Sequence, residues 1–504
     1  MGTRLVPRRG ARRRGPHRLP NGAGPMIPLV ASAHPAEGTF QPGVRAPVRG
    51  PHAALARELL GPATHGDGPE EIVLRLVADP SLGAEGYTLT VTPEQAEIAA
   101  ADLAGLRWGV QTLRQLDGPG GVPCGTVRDV PRYAWRGVLI DVARWWRPMS
   151  FLRSYVDLLA LHKFNVLHLH LTDDQGWRFE VRGHPRLTEV GAHRTESPAG
   201  HAREGRFDGT PHGGFYTQRE LRDLVAYAAA RGVNVVPEIE FPGHSQAAIA
   251  AYPWLGHPSA TPVRVRTSWG ISSHVLGVGD RVAGFARDVL DELCEVFPSP
   301  YVHIGGDEVR GAEWAASPEA ARRVASAGLD GSQALLGWWG RLLADHLRGL
   351  GRRAVAWDDM LDHDPPEDMV IMAWRGVDRI EAALRAGHDV VAAPHTHTYL
   401  DYAESDGPGE PVSIAGPLPL ETVYGYDAGE SVLGMQAQLW GEYLPTRDRF
   451  DYNAFPRLCA VAEAAWSAGR DLGGFTRRLA DHLPLLDRLG VAYRRPEGTA
   501  RVHL

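Results

Sequence analysis

Eight short β-rich runs recur between residues 136 and 440, each ending in polar or aromatic residues and usually followed by a helical stretch. They cover 137–140, 166–171, 233–237, 301–304, 354–357, 370–373, 390–393 and 432–438. Strands that alternate with helices build a parallel sheet, and eight such units over this length close into a barrel. The chain therefore reads as α/β, with a (β/α)8 TIM barrel and a C-terminal helical region over 131–504. Barrels of this kind carry their chemistry at the carboxyl ends of the strands. Those ends hold Asp141 and Arg144; His168, His170, Asp173 and Asp174; Glu238, Glu240 and His244; and Asp307 and Glu308. The later ones hold Trp357, Asp358 and Asp359; Trp374; His395, His397, Tyr399 and Asp401; and Trp440 and Glu442.

A chain of 504 residues has room for more than a barrel. Over 26–130 the grammar is different. Glu71–Leu76 and Tyr87–Val91 alternate at period two, as half-buried strands do, and 100–116 carries apolar residues at helical spacing. A small, non-catalytic α+β domain is expected to precede the barrel. Residues 1–25 hold seven arginines, no acid and no apolar core, which is not the make-up of a secretory signal. They read as a disordered basic arm, or as the product of a start placed upstream of a true one at Met26. A cytoplasmic location is the expectation, with secretion open if the start lies elsewhere.

Composition excludes some classes. A net charge of −7 argues against a nucleic-acid partner. No apolar run approaches the ~18 residues of a membrane span. Cys124, Cys294 and Cys459 are scattered, without metal-ligand or disulfide-framework spacing, and read as reduced structural residues. Several of the 14 tryptophans sit beside acidic residues. Any single one is more often core, but aromatic faces next to carboxylates suit sugar rings, which offer C–H groups to stack and hydroxyls to hydrogen-bond.

His303-Ile304-Gly305-Gly306-Asp307-Glu308 closes the fourth run. Paired glycines let the backbone turn sharply and approach a ligand. Two adjacent carboxylates in a dry pocket cannot both ionise cheaply, so one should rise into the general-acid range. His168-x-His170 supports a rival reading as a metal hydrolase, since alternate strand residues share a face. A core role, or a supporting role behind the site, is the blander reading of that pair. His395 and His397 read as loop or subsite residues.

Five segments together resemble glycoside hydrolase family 20, the β-N-acetylhexosaminidases. They are Asp141-Val-Ala-Arg144, His168-Leu-His-Leu-Thr-Asp-Asp174, Pro237-Glu-Ile-Glu-Phe-Pro-Gly-His244, His303-Ile-Gly-Gly-Asp-Glu308 and Leu439-Trp-Gly-Glu442. The likeness runs over roughly 27–470. It implies an exo-acting enzyme that removes terminal β-linked N-acetylglucosamine or N-acetylgalactosamine with retention, through an oxazolinium formed by the substrate's own acetamido group. It further implies that Glu308 is the acid/base, that Asp307 orients the acetamido group and stabilises its developing charge, and that Tyr399 donates to it. Arg144 and Glu442 would hold sugar hydroxyls, Trp357, Trp374 and Trp440 would wall the pocket, and Asp401 would line it. Asp173 and His244 would stand behind Glu308. No metal or cofactor is implied, and the expected partner is a carbohydrate with a terminal β-N-acetylhexosamine, not a membrane. Oligomeric state is left open. The chain departs from the pattern twice: Trp145-Trp146 follow Arg144 where His and an aromatic are frequent, and Glu240 stands where Asp is usual. A non-catalytic sugar-binding module, the third reading, would lack the acid/base that Glu308 supplies.

Overall fold

The computed structural model describes residues 25–41, 47–60 and 70–495, so the basic arm, apart from Pro25, lies outside the described residues. The chain divides into two compact units.

The described part of Val30–Val130 forms the first. Its strands are β1 (Ser32–Phe40), β2 (Val48–Arg49), β3 (Glu71–Leu76), β4 (Tyr87–Val91), β5 (Gln95–Ala100) and β6 (Val122–Asp129). They make one mixed sheet in the order β1-β6-β4-β5-β3-β2. Two helices accompany it, α1 (Ala53–Leu60) and α2 (Leu103–Leu116). Asp102 starts α2 by accepting the Gly105 N–H at 2.7 Å, which satisfies one of the donors a helix leaves open. Residues 95–100, which carry no helical signal of their own, pair as β5 between β3 and β4.

The second unit is the barrel. Its strands, in order around the closed ring, are β7 (Trp135–Asp141), β8 (Val166–His170), β9 (Asn234–Glu238), β10 (Tyr301–His303), β11 (Arg353–Trp357), β12 (Val370–Ala373), β13 (Val390–Ala392) and β14 (Gly434–Leu439). Helices follow seven of them: α3 (Met149–Leu161), α4 (Gln218–Ala230), α5 (Asp280–Val296), α6 (Leu335–Gly349), α7 (Val377–Arg385), α8 (Leu420–Gly425) and α9 (Arg457–Trp466), with α10 (Leu472–Arg488) after the last. The exception is β11, which is followed by a 3-10 turn, Asp358–His363. Asp358 explains the shortcut. Its buried carboxylate accepts from the Trp374 N–H at 2.7 Å and the Arg375 side chain at 2.7 Å, tying the end of β11 directly to the end of β12.

Alternation decides what faces inward. Val138, Ile140, Leu167, Leu169, Val235 and Ile371 pack outward against the helices. Leu139, Val236, Val355, Val370, Met372 and Val391 fill the barrel interior. His168 and His170 share the inward parity, and so does Glu238. Register places His170 beside both Asp141 and Glu238, and Glu238 beside His303. An apolar plug thus supports a polar layer at the carboxyl end. No helix among the described residues is long and apolar enough to cross a membrane.

Candidate active site

That polar layer is organised by Glu238, a residue to which the sequence analysis gave no role. Its carboxylate is fully buried and meets His303 Nδ1 at 2.7 Å, His168 Nε2 at 3.2 Å, Trp357 Nε1 at 2.9 Å and, in a very short contact, His170 Nδ1. Burial pushes this carboxyl up, but His303, His170 and His168 outweigh it and hold the group well below the usual carboxylate range. The His-x-His pair is therefore spent on an internal carboxylate. Burial lowers the His168 imidazole to about 4, while Glu238 and Asp173 overcome burial at His170 and raise it to about 10.

Above this layer the chain after β10 bends through Gly305 and Gly306, with φ of +69° and +98°, and Glu308 itself takes φ +52°. A Cβ on Gly305 would lie 1.9 Å from Glu240 Oε2, so only glycine lets the loop pass. The bend aims Asp307 and Glu308 into one pocket from the same side. His244 Nε2 stands 3.4 Å from Glu308 Oε2 and 3.7 Å from Asp307 Oδ2. The other ring nitrogen of His244 faces Asp173 and Asp174, each at 3.4 Å. Burial disfavours the imidazolium, yet Asp173 and Asp307 prevail and hold it well above its ordinary value.

The Asp307 carboxyl is held well above its ordinary value in the empty pocket. Burial raises it to about 8, with His244 opposing and Asp359 and Glu308 adding to the rise. Glu308 is the more open of the two, and its backbone N–H points at Asp359 Oδ1 at 3.4 Å. Asp359 also accepts from Trp374 Nε1 at 2.8 Å, a contact between two strand ends that no sequence spacing signals.

Arg144 closes the opposite end. Its guanidinium is held by Asp173 at 2.8 Å, Asp141 at 3.0 Å and Gln175 at 3.1 Å, with Glu442 at 3.8 Å and the Trp440 ring beneath it at 5.3 Å. Burial and Arg144 pull the Glu442 carboxyl in opposite directions, and burial wins, raising it. Asp401, buried beside Glu442, is raised well above its ordinary value by burial and by that neighbour's charge. The remaining wall is aromatic. Tyr399 stacks on Trp374 with centroids 6.3 Å apart, and Trp440 touches both Tyr399 and Trp357 at 6.3 and 5.8 Å. Burial keeps the Tyr399 hydroxyl protonated, so it is available as a donor.

These residues enclose a cavity of about 310 Å³, at the small end of ligand pockets, which span ~300–1,000 Å³. The twelve residues to which the resemblance ties the site line it: Arg144, Asp173, Glu240, His244, Asp307, Glu308, Trp357, Trp374, Tyr399, Asp401, Trp440 and Glu442; His395 and His397 do not. His170, Gly270, Ile271, Tyr402 and Ile414 complete the lining, and of these only His170 carried a sequence signal. Trp145 and Trp146 do not line it, although Trp145 Nε1 donates to the backbone carbonyl of Glu442 at 3.4 Å. Trp145 packs edge-on against His212 and Trp269, and Trp146 packs against Tyr216. A more open cleft of about 410 Å³ runs along 259–268 beside Gln246 and His274, and no carboxylate lines it.

The family model described as "Glycosyl hydrolase family 20, catalytic domain" matches residues 133–469, and "Glycosyl hydrolase family 20, domain 2" matches 25–130. Among curated proteins the chain is similar to a beta-hexosaminidase of Porphyromonas gingivalis, at 38% identity over 82% of this chain and 55% of that protein. It therefore spans about half the length of that relative. It is also similar to a beta-hexosaminidase of Akkermansia muciniphila (37%, covering 84% of this chain and 89% of that one) and a beta-N-acetylhexosaminidase of Cellulomonas fimi (36%, 85% and 84%). Among solved structures it resembles a GH20 exo beta-N-acetylglucosaminidase from Vibrio harveyi in complex with N-acetylglucosamine, with TM-score 0.83 and 32% identity, covering 96% of this chain and 81% of that one. A Streptomyces plicatus N-acetyl-beta-hexosaminidase in complex with Thio-NAglucal aligns with TM-score 0.80 and 31% identity, over 96% and 98%.

Proposed function

That this chain belongs to glycosyl hydrolase family 20 is the premise from which we propose how its pocket works: as an exo-β-N-acetylhexosaminidase whose nucleophile is the carbonyl oxygen of the substrate's own 2-acetamido group. One observation carries the reading. Asp307 and Glu308 approach the same nitrogen of His244, and one oxygen of each lies within 4.8 Å of the other and of that nitrogen. Carboxyls side by side do not flank an anomeric carbon as an acid and an opposing nucleophile must. The nucleophile then comes from the substrate.

The terminal sugar seats with its far hydroxyls against Arg144 and Glu442. The fixed fork of Arg144, already locked by Asp141 and Asp173, sets its position and closes the pocket behind it, which makes the enzyme exo-acting. Trp357, Trp374 and Trp440 enclose the acetamido group, Tyr399 donates to its carbonyl, and Asp307 accepts its N–H. The carbonyl oxygen attacks C1 as the glycosidic C–O bond breaks, and Glu308 gives its proton to the leaving oxygen. A positive charge develops on the oxazolinium beside the Asp307 carboxylate, in a dry site where such a charge pair counts for more than in water. Water then attacks C1, Glu308 takes its proton, and the configuration is retained. Asp173 and His244 hold Glu308 from behind.

Both N-acetylglucosaminides and N-acetylgalactosaminides are substrates on this reading, because the epimers differ at O4, where the Glu442 carboxylate accepts from either position. Chito-oligosaccharide ends are one natural source of such residues. Release of nitrophenol from nitrophenyl N-acetyl-β-glucosaminide, with the anomer formed first followed by NMR, tests the proposal. Inversion, or a selectivity between epimers above about 10⁴, contradicts it, since the latter requires buried polar groups left unpaired by the wrong epimer.

A further inference from the structure

Glu240 is the least explained group in the pocket. It is 2% exposed, and neither carboxyl oxygen has a hydrogen-bond partner among the described residues. A buried carboxyl left this way costs free energy, so a role for it is worth seeking. Its backbone is fixed, with the N–H donating to Thr172 Oγ1 at 2.9 Å and the carbonyl accepting from Ser245 Oγ at 3.2 Å. Its Oε2 fills the space where a Gly305 side chain would begin, immediately beneath the loop that carries Asp307. Asp307 has a matching deficit: Oδ1 is buried without a partner, while Oδ2 faces His244.

We propose that Glu240 is a positioning residue for Asp307, offering its carboxyl O–H to Asp307 Oδ1 while the outer oxygen takes the acetamido N–H. The proposal rests on the reading of Asp307 given above. The groups facing Glu240 agree with a retained proton. Glu238 lies on its own element, Asp307 on the β10 loop and Asp173 on the β8 loop, all acidic, against His244 as the cation that opposes them. Burial first, then Asp307 and Glu238, hold the Glu240 carboxyl well above its ordinary value. Two neighbouring buried carboxyls share one negative charge at low cost, and a substrate that needs the charge on Asp307 leaves the proton on Glu240. The extra methylene of Glu over the Asp usual at this position carries the O–H past Gly305. A donor on Oδ1 fixes the carboxylate plane and favours its ionised form.

Three variants test this: Glu240→Gln, which keeps an N–H donor of the same length; Glu240→Met, which keeps the volume without a donor; and Glu240→Asp, which withdraws it. Each is checked by circular dichroism and then assayed across pH on nitrophenyl N-acetyl-β-glucosaminide. Met should lower kcat by about 10-fold or more and move the acidic limb of kcat/KM upward, since Asp307 loses a bond that favours its charge. Gln should restore both the rate and the limb to within a few-fold of the native enzyme, and Asp should fall between. A folded Met variant with native kcat and an unmoved limb overturns the proposal, as does a Gln variant impaired as badly as Met. The reading of Asp307 itself is tested separately by Asp307→Asn: if that variant keeps native kcat, the underlying mechanism fails, whatever Glu240 does.

Discussion

Replacing Asp307 by Asn should stabilise the empty enzyme at neutral pH while removing most of its turnover. The Asp307 carboxyl is held at about 8 against an ordinary 3.8, chiefly by burial. Near pH 7 the unfolded chain has lost this proton and the folded chain has kept most of it, so the group favours unfolding. At about 1.36 kcal/mol per pH unit, the roughly three units between 3.8 and pH 7 make this penalty about 4 kcal/mol at pH 7. His244, which faces this carboxyl at 3.7 Å and opposes the rise, keeps Asp173 and Asp174 on its other nitrogen in the variant. That opposition is already contained in the raised value, so about 4 kcal/mol is the upper bound on the gain from Asn. The favourable share of a raised carboxyl is present below its unfolded value and is lost as pH rises through the folded one. The advantage of Asn should therefore be near zero around pH 4 and grow steadily toward pH 7. Differential scanning calorimetry of the ligand-free protein at both pH values reads this as a midpoint gain of several degrees at pH 7, at ~1–3 °C per kcal/mol for a unit of this size. A variant with an equal or lower midpoint at pH 7, or with a gain that does not grow with pH, refutes the reasoning.

Glu308→Gln should slow substrates with poor leaving groups by about 10²-fold or more and affect activated aryl glycosides far less, since only the former need the proton; equal losses across a leaving-group series would contradict its role. Arg144→Lys should lower kcat/KM by about 10²–10³, because an ammonium cannot fork between Asp141, Asp173 and Glu442. A change under about 5-fold would remove Arg144 from the binding site. Hydrolysis should survive prolonged treatment with a chelator, and full loss restored by zinc would favour the metal-hydrolase reading of the histidine clusters.

The barrel and its inventory of site residues were legible because a parallel barrel sends every strand end to one face, so reading those ends in order reads the pocket. What stayed hidden depended on register and direction. Glu238 became a hub only when pairing set it beside both His170 and His303. Trp145 and Trp146 adjoin Arg144 in sequence, yet their rings pack outside the pocket lining against His212, Trp269 and Tyr216, and Trp145 meets the lining through the Glu442 backbone carbonyl. The missing helix after β11 follows from the Asp358 contacts with the end of β12, which link residues 16 and 17 positions apart. The raised Asp307 carboxyl was likewise unreadable, since it turns on how deeply that side chain is buried.

The central claim is that the acetamido carbonyl attacks C1. It is tested most directly with nitrophenyl N-acetyl-β-glucosaminide and its mono-, di- and trifluoroacetyl analogues, in which each fluorine withdraws electron density from that carbonyl while the leaving group stays fixed. Participation predicts a steep, monotonic fall in kcat along the series, reaching several powers of ten at the trifluoroacetyl member. A flat series, or a sugar bound covalently to a carboxylate of the enzyme in the mass spectrum, would contradict it.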